Sequence, residues 1–202
     1  MKKILFMMLL SMLCGSMEAQ TVGIIPEPQK VETSSGCLYL EDTLNFVSAI
    51  STDDILPAAW TDCPLPFVGS TAKAKSKKST QTVIELKLNP SLKFPRNASQ
   101  GYLLDIGKKS ITIEAITIQG LYYGVLSLRQ LVVKAMVEDA KRPHIDCMTV
   151  VDYPVLEYRG WMDDLSRGPI PTMDFLKKEA AKQAKTIWQE ITQIAKEENP
   201  DF

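Results

Sequence analysis

The segment between residues 102 and 136 constrains the fold of this chain more than any other. Two runs, YLLDI (102–106) and SITIEAI (110–116), alternate apolar and polar residues and are separated by Gly-Lys-Lys. Such alternation is typical of half-buried strands, and the short glycine-containing connection predicts an antiparallel hairpin. In the segment that follows, apolar residues recur at steps of three and four: Leu121, Val125, Leu128, Val132 and Met136. The sequence therefore predicts a sheet with an amphipathic helix covering one of its faces.

Further strands are predicted outside this segment. TVIELKL (82–88) alternates in the same way, and CLYL (37–40) and TLNFV (43–47) are shorter candidates. Two prolines predict an extended conformation for IIPEPQKVE (24–32). Residues 51–80 are expected to be mostly irregular, with a short helix near residues 53–60 that contains a proline. The predicted fold class is α+β, with a small antiparallel sheet and helix cover.

Gly120 and Gly124 lie four residues apart on the predicted helix. They indicate close approach of the helix to the sheet, because glycine has no side chain. A phosphate-binding loop is not indicated, since no glycine-rich turn follows a strand here.

The first nineteen residues have the pattern of a secretory signal. Lys2 and Lys3 precede an apolar run (4–13), and Ala19 is a plausible cleavage point. The run is too short to span a bilayer. We expect residues 1–19 to be removed and the protein to be exported to the periplasm or the extracellular space. Cys14 leaves open an alternative, a membrane-anchored lipoprotein, although the bulky Leu13 before it is unusual for a lipoprotein signal.

Charge and cysteine usage narrow the possible partners. The formal net charge is −1, so nucleic acid is not expected as a partner, and the basic run at 73–78 is interpreted as a solvated loop. Beyond the predicted signal, Cys37, Cys63 and Cys147 allow at most one disulfide among themselves, and the sequence does not select it. No metal site or cofactor is predicted. His144, the only histidine, is interpreted as a loop residue.

The C-terminal segment predicts a second amphipathic helix. Thr172 is placed to cap a helix over 173–198, which ends before Asn199 and Pro200. Its apolar residues recur at helical spacing: Leu176, Ala180, Ala184, Ile187, Ile191 and Ile194. Such a stripe needs a surface to cover, either in this chain or in a partner.

Three stretches together resemble glycoside hydrolase family 20, the β-N-acetylhexosaminidases. They are IIPEPQKVE, QGYLLDIGKKSITIEAITIQGLYYGVLSLRQLV and LEYRGWMDDLSR, within residues 24–178. The resemblance implies a family N-terminal domain over 20–152, followed over 153–202 by one strand and one helix of an incomplete (β/α)8 barrel. Members remove terminal N-acetylhexosamine from glycans by substrate-assisted catalysis, so the implied partner is such a glycan.

The resemblance assigns few site residues. Arg159 matches a family arginine that binds sugar hydroxyls, a role suited to the rigid guanidinium fork. Asp164 and Arg167 match the family's D-x-S-R, and an alternative interpretation is a polar network at the end of the strand. Asp163 and Gly168 depart from the family pattern.

No catalytic residue is assigned. The catalytic Asp-Glu pair of the family, usually in a Gly-Gly-Asp-Glu string, is absent from the sequence. Only 48 residues run from Val155 to Phe202, whereas a complete barrel takes about 250. We therefore expect an exported, truncated or frame-shifted hexosaminidase fragment that is inactive alone.

Two non-catalytic alternatives remain. The exposed barrel strand and the C-terminal helix would allow self-association or docking on a protein partner. A carbohydrate-binding module would need exposed aromatic platforms, and Trp60, Trp161 and Trp188 are scattered over three segments.

Overall fold

The fold was analysed in a computed structural model. The structure describes residues 22–51, 53, 55–60, 63–71, 82–160 and 172–178. The strands are β1 (Lys30–Tyr39), β2 (Leu44–Ser48), β3 (Phe67–Thr71), β4 (Thr82–Leu88), β5 (Tyr102–Ile106), β6 (Ser110–Ala115) and β7 (His144–Asp152). The helices are α1 (Leu56–Ala59) and α2 (Ile118–Glu138), and a 3-10 turn spans Ala98–Gln100.

All seven strands form one sheet in the order β1-β7-β5-β6-β4-β2-β3. Strands β1, β7, β5 and β6 pair antiparallel, whereas β6, β4, β2 and β3 pair parallel. The prediction of an antiparallel sheet was therefore wrong for half of the sheet, which is mixed. Parallel neighbours need long connections and leave no local turn in the sequence, so hairpin patterns do not reveal them.

The central strands were predicted from their alternation. The hairpin β5–β6 and strand β4 lie where the pattern placed them. The two edge strands were not predicted with these bounds. Strand β1 is longer than the predicted 37–40, and β3 occupies a segment predicted to be irregular. Strand β1 also contains a register shift between Thr33 and Cys37, which breaks the alternation that a sequence pattern relies on.

Helix α2 covers one face of the sheet, as predicted. Of its predicted apolar stripe, Leu121, Val125, Leu128 and Val132 are fully buried, and Met136 is partly buried. They pack on the core-facing residues of the sheet, including Leu104, Ile111, Ile113 and Val150. Burial of each such side chain stabilises the fold by about 1.5–3 kcal/mol.

The two helix glycines allow this close packing. A Cβ on Gly120 would collide with the carbonyl oxygen of Gly101 and with Ala115. A Cβ on Gly124 would lie 2.5 Å from Cγ2 of Ile113. The predicted close approach is confirmed at both positions.

After β7 the chain continues as a linker without a strand. Residues 153–160 contain no strand, so the barrel strand expected there is not formed within them. These residues cannot pair as a strand beside β7, because β1 and β5 already occupy both of its edges. Residues 173–178 are helical, and the side chain of Thr172 accepts from the backbone N–H of Phe175 at 3.3 Å, as predicted for its cap.

Several predictions fall on residues outside those described: the signal (1–19), Asp164, Arg167 and the apolar stripe beyond residue 178. Among the described helices, none has the length and apolar character needed to cross a membrane. The thiols of Cys37, Cys63 and Cys147 are not bonded to one another.

Candidate functional site

The candidate site is a cleft of about 260 Å³, bounded by residues 25–29, helix α2 and residues 152–159. Its walls are mainly apolar, from Ile25, Pro26, Leu126 and Val155. Polar side chains converge on it from all three segments and from the 3-10 turn: Gln29, Gln100, Ser127, Gln130, Asp152 and Arg159. A cavity with apolar walls and a few convergent polar groups is typical of small-ligand sites and of joints between domains.

Two side chains of α2 bind the N-terminal segment. Gln130 accepts from the backbone N–H of Ile25 at 2.9 Å and donates to the carbonyl oxygen of the same residue at 3.1 Å. Lys134, one turn further along, donates to the carbonyl oxygen of Val22 at 3.2 Å. These bonds satisfy backbone groups of a segment that belongs to no strand.

Asp152, the last residue of β7, joins the three walls. Its Oδ1 accepts from the backbone N–H groups of Gln29 (3.2 Å) and Tyr153 (2.9 Å). Its Oδ2 accepts from the hydroxyl of Tyr102 at 3.2 Å, and that hydroxyl lies 2.6 Å from Oγ of Ser127. One carboxylate therefore connects the N-terminal segment, the sheet, the helix and the linker.

Burial dominates the electrostatics of this group. Desolvation raises the pKa of Asp152, and the three hydrogen bonds and the charge of Arg159 oppose that rise. Burial also raises the pKa of Tyr102 well above its usual range, and the charge of Asp152 adds to that rise. Tyr102 therefore remains a protonated donor at neutral pH.

The linker is bound to the 3-10 turn that precedes β5. Asn97 adopts a left-handed conformation with φ of 43°. Its Nδ2 donates to the carbonyl oxygens of Pro154 (2.7 Å) and Val155 (3.1 Å). Gln100, three residues on, donates from Nε2 to the carbonyl oxygen of Glu157 at 3.1 Å. Both amide hydrogens of Asn97 are used, so its side chain has a structural role in the folded protein.

Arg159 is directed back toward this domain. Its Nη2 donates to Oε1 of Gln100 at 2.7 Å and to the hydroxyl of Tyr123 at 3.3 Å. Its Nη1 donates to the carbonyl oxygen of Leu156 at 2.6 Å, and its guanidinium lies 5.6 Å from the centre of the Tyr123 ring. The structure thus places the predicted sugar-binding arginine in the lining of the cleft.

The cleft can bind polar groups, but the carboxylate of Asp152 is already hydrogen-bonded within the protein. Asp152 accepts three hydrogen bonds within the protein, and Glu27, the other carboxylate in the lining, is exposed. No group of three or more His, Cys, Asp or Glu residues that would hold a metal occurs among the described residues. The cleft is therefore better built for fixing the linker than for acid–base chemistry.

Sequence reasoning missed most of these residues. Asn97, Gln100, Gln130 and Asp152 are ordinary polar residues in the sequence, and their partners lie far along the chain. Asn97 stands in an Asn-Ala-Ser glycosylation sequon, a motif that does not predict its contacts with the linker. The left-handed preference of asparagine was the one available indication that this position is special.

This chain is similar to known proteins in sequence and in fold. The profile of glycosyl hydrolase family 20, domain 2, matches residues 21–153. The chain belongs to glycosyl hydrolase family 20. The matched region includes strands β1 to β7 and helices α1 and α2, and the family resemblance noted in the sequence is confirmed.

Two curated relatives are β-hexosaminidases. One, from Vibrio vulnificus, is 29% identical over 150 residues, which cover 74% of this chain and 16% of that protein. The other, β-hexosaminidase subunit A2 of Dictyostelium discoideum, is 27% identical over 172 residues, covering 81% of this chain and 30% of that protein. The chain thus spans less than a third of either relative.

Solved structures share the fold. A β-N-acetylhexosaminidase from Bacteroides fragilis superposes with a TM-score of 0.53 at 20% identity, over 68% of this chain and 26% of that one. An exo-β-N-acetylglucosaminidase of family 20 from Vibrio harveyi also gives 0.53 at 20% identity, over 69% of this chain and 20% of that one. The mixed seven-stranded sheet is therefore the fold of a family 20 domain.

Proposed function

We propose that this chain is part of an exported β-N-acetylhexosaminidase-like hydrolase and does not hydrolyse glycosides by itself. Residues 20–152 are its accessory domain, and residues 153–202 begin the region that corresponds to the catalytic barrel. In the whole enzyme the substrate would be a glycan with a terminal N-acetylhexosamine. The two β-hexosaminidase relatives support this substrate class.

The binding of the linker to the domain is the observation that favours inactivity of the chain alone. Arg159, proposed to bind sugar hydroxyls in the whole enzyme, donates here to Gln100 and Tyr123. Substrate-assisted hydrolysis also needs a general acid and a second carboxylate that orients the acetamide. The sequence has no Asp-Glu pair for these roles, and Asp152 is committed to structural hydrogen bonds.

Hydrolysis of an aryl N-acetyl-β-glucosaminide tests this proposal. The purified chain is expected to release no aryl alcohol above the buffer blank, and Arg159→Ala is expected to give the same trace. Release that stays proportional to this protein through successive purification steps, and that falls in Arg159→Ala, would overturn the proposal.

Export is proposed from residues 1–19, with lipid attachment at Cys14 as the alternative. Fractionation of the producing cells followed by N-terminal sequencing separates the two. A soluble chain beginning near Gln20 supports secretion, and a membrane-bound chain beginning at a blocked Cys14 supports the lipoprotein. A cytoplasmic chain that retains Met1 contradicts both.

A second candidate function is a non-catalytic interaction module. The observation that favours it is that three apolar residues of α2 are exposed: Ile118, Val133 and Val137. A carbohydrate-binding module is less well supported. Trp60 is only 4% exposed, donates from Nε1 to the carbonyl oxygen of Leu65 and packs on Phe46, so it offers no platform. Calorimetric titration with chito-oligosaccharides that showed binding heat would favour the carbohydrate alternative.

A further inference from the structure

A second cavity lies along the same edge of the sheet as the linker, on the face that α2 does not cover. Its volume is about 320 Å³, and it is bounded by the ends of β2, β4 and β6. These three strands run parallel, so their carboxyl ends meet at one edge. Crevices outside such ends are a common place for ligands in open sheets. Glu85, Lys87 and Glu114 alternate with core residues of β4 and β6, so they line the cavity from the uncovered face.

One carboxylate of the cavity is held in place by its neighbour. Nδ2 of Asn89 donates to Oε2 of Glu114 at 2.7 Å, and the backbone N–H of Asn89 donates to the carbonyl oxygen of Ala115 at 2.8 Å. Oδ1 of Asn89 accepts from the backbone N–H of Ser91 at 3.1 Å, which fixes the loop after β4. No residue in the described part of the chain donates to Oε1 of Glu114. This oxygen is therefore a preorganised acceptor, and preorganisation lowers the cost of binding.

A lysine stands between two carboxylates in the lining. Lys87 is the cross-strand partner of Glu114 in the register of β4 and β6, and its Nζ lies 2.9 Å from Oε2 of Glu85. The side chains of this ion pair are 45% and 47% exposed. An ammonium has three N–H donors, so two remain for a ligand when one is used by Glu85. The cavity thus offers donors and acceptors side by side, which suits hydroxyl groups, because each hydroxyl both donates and accepts.

An apolar wall lies beside these charges. It is formed by Val47, Ile50 and Leu88, and Leu88 is 40% exposed. Oγ of Ser48 accepts from the backbone N–H of Ile50 at 3.2 Å, which fixes the loop after β2. A saccharide ring fits this combination, because its C–H groups can pack on the wall while its hydroxyls reach the charged groups.

The charges of the lining argue against other ligand classes. Two carboxylates and one ammonium give a net charge of −1, which disfavours nucleotides and other anions. The ammonium of Lys87 already pairs with Glu85 and would repel a metal ion placed between the two carboxylates. The lining is therefore matched best by a neutral ligand with several hydroxyl groups.

We propose that this cavity binds a neutral saccharide unit, an inner sugar of the glycan whose terminal N-acetylhexosamine is the proposed substrate. The choice of glycan rests on the proposed function. In the sheet order, β4 lies three strand spacings, or about 14 Å, from β7, whose end carries the linker. A glycan that extends along this edge from the region after the linker would therefore reach the cavity with its inner sugars.

Titration of the ¹⁵N-labelled full chain with tri-N-acetylchitotriose, followed by amide chemical shifts, tests the proposal. We expect saturable shifts at Ile50, Lys87 and Asn89 at millimolar sugar. Glu114→Gln keeps an acceptor for Asn89 but presents an NH2 group in place of Oε1. We expect this variant to bind the sugar about fivefold more weakly, as the loss of one hydrogen bond predicts.

Glu32→Gln is the matched control. Glu32 forms an ion pair with Lys30 at 2.7 Å, on the same face of the sheet as Glu85 but outside the cavity. Its substitution removes one carboxylate from that face without touching the lining, so the affinity for the sugar should stay unchanged.

Several outcomes would overturn the proposal: no saturable shift, equal affinities of Glu114→Gln and the wild type, or shifts confined to the residues around Arg159. Tighter binding of glucosamine than of its N-acetylated form would also overturn it, because the cavity would then recognise a cationic amine. Analysis of the sugar after the titration keeps the two proposals separate. Fragments of the trisaccharide would contradict the proposed lack of hydrolysis, whereas an intact trisaccharide without saturable shifts would contradict the binding site alone.

Discussion

The close approach of α2 to the sheet makes Gly124 the position where one added methyl group should be most informative. A Cβ at this position would lie 2.5 Å from Cγ2 of Ile113 and 3.3 Å from the ring of Tyr102. Ile113 is fully buried and Tyr102 is 2% exposed, so neither neighbour has room to withdraw. Gly124→Ala is therefore an overpacking substitution, although alanine is the better helix former.

Two opposing effects determine how far Gly124→Ala changes the free energy of unfolding. Alanine improves the helix by about 1 kcal/mol relative to glycine. Carbon atoms pack best at about 3.5–4.0 Å, so the new methyl overlaps Ile113 by roughly 1 Å. Overpacking typically costs about 1–3 kcal/mol, and we expect about 2–3 kcal/mol here because Ile113 is fully buried. We expect Gly124→Ala to lower the free energy of unfolding by about 1–2 kcal/mol, with a fall in Tm of about 3–6 °C.

Denaturant unfolding followed by circular dichroism measures this change. Gly107→Ala is the matched control, because a Cβ at that position would meet only the carbonyl oxygen of Ser110 at 3.5 Å, an ordinary contact. The control is expected to leave stability unchanged or slightly raised. If Gly124→Ala were as stable as the control, the close packing of α2 on β5 and β6 would be refuted.

Substitutions at three further positions test the cleft. Asn97→Gly removes only the hydrogen bonds to the linker and should lower the free energy of unfolding by about 1–2 kcal/mol. Asn97→Ala should lower it by about 1 kcal/mol more, because alanine disfavours the left-handed backbone. Equal losses for the two variants in denaturant unfolding would contradict this. Burial raises the pKa of Asp152, so the folded state holds its proton more tightly and stability should fall as pH rises above about 4. Asp152→Asn should remove that part of the pH dependence in unfolding curves, and an unaltered dependence would argue against it. Gln130→Ala should expose the segment around Ile25 to limited proteolysis, while unchanged digestion would show that its two hydrogen bonds are not needed there.

Local sequence patterns were sufficient to predict the strands in the middle of the sheet and helix α2. The hairpin of β5 and β6, strand β4 and helix α2 each show their periodicity within a few turns or residues, so they were predicted. The parallel pairs of β2 with β3 and β4 depend on contacts between distant residues, and no turn residue announces them. Strand β3 is an edge strand with too short a pattern to be distinguished from a loop.

The site was less accessible to sequence reasoning than the fold. Arg159 was found because a family motif surrounds it, but its contacts with Gln100 and Tyr123 could not be foreseen. Each joins residues at least 36 positions apart, and a sequence pattern carries no information about such pairs. Asp152 was missed for the same reason, since Gln29 and Tyr102, two of its three hydrogen-bond partners, lie 123 and 50 positions away.

The domain itself holds Arg159, through Gln100, and with it the start of the following region. A double-mutant cycle of Gln100→Ala and Arg159→Ala, followed by denaturant unfolding of the full chain, measures the coupling between the two side chains. Because the bond is charged but only partly buried, we predict a coupling free energy of about 0.5–1 kcal/mol. Strictly additive effects of the two substitutions would contradict the claim, because they would show that the linker and the domain do not depend on each other through this contact.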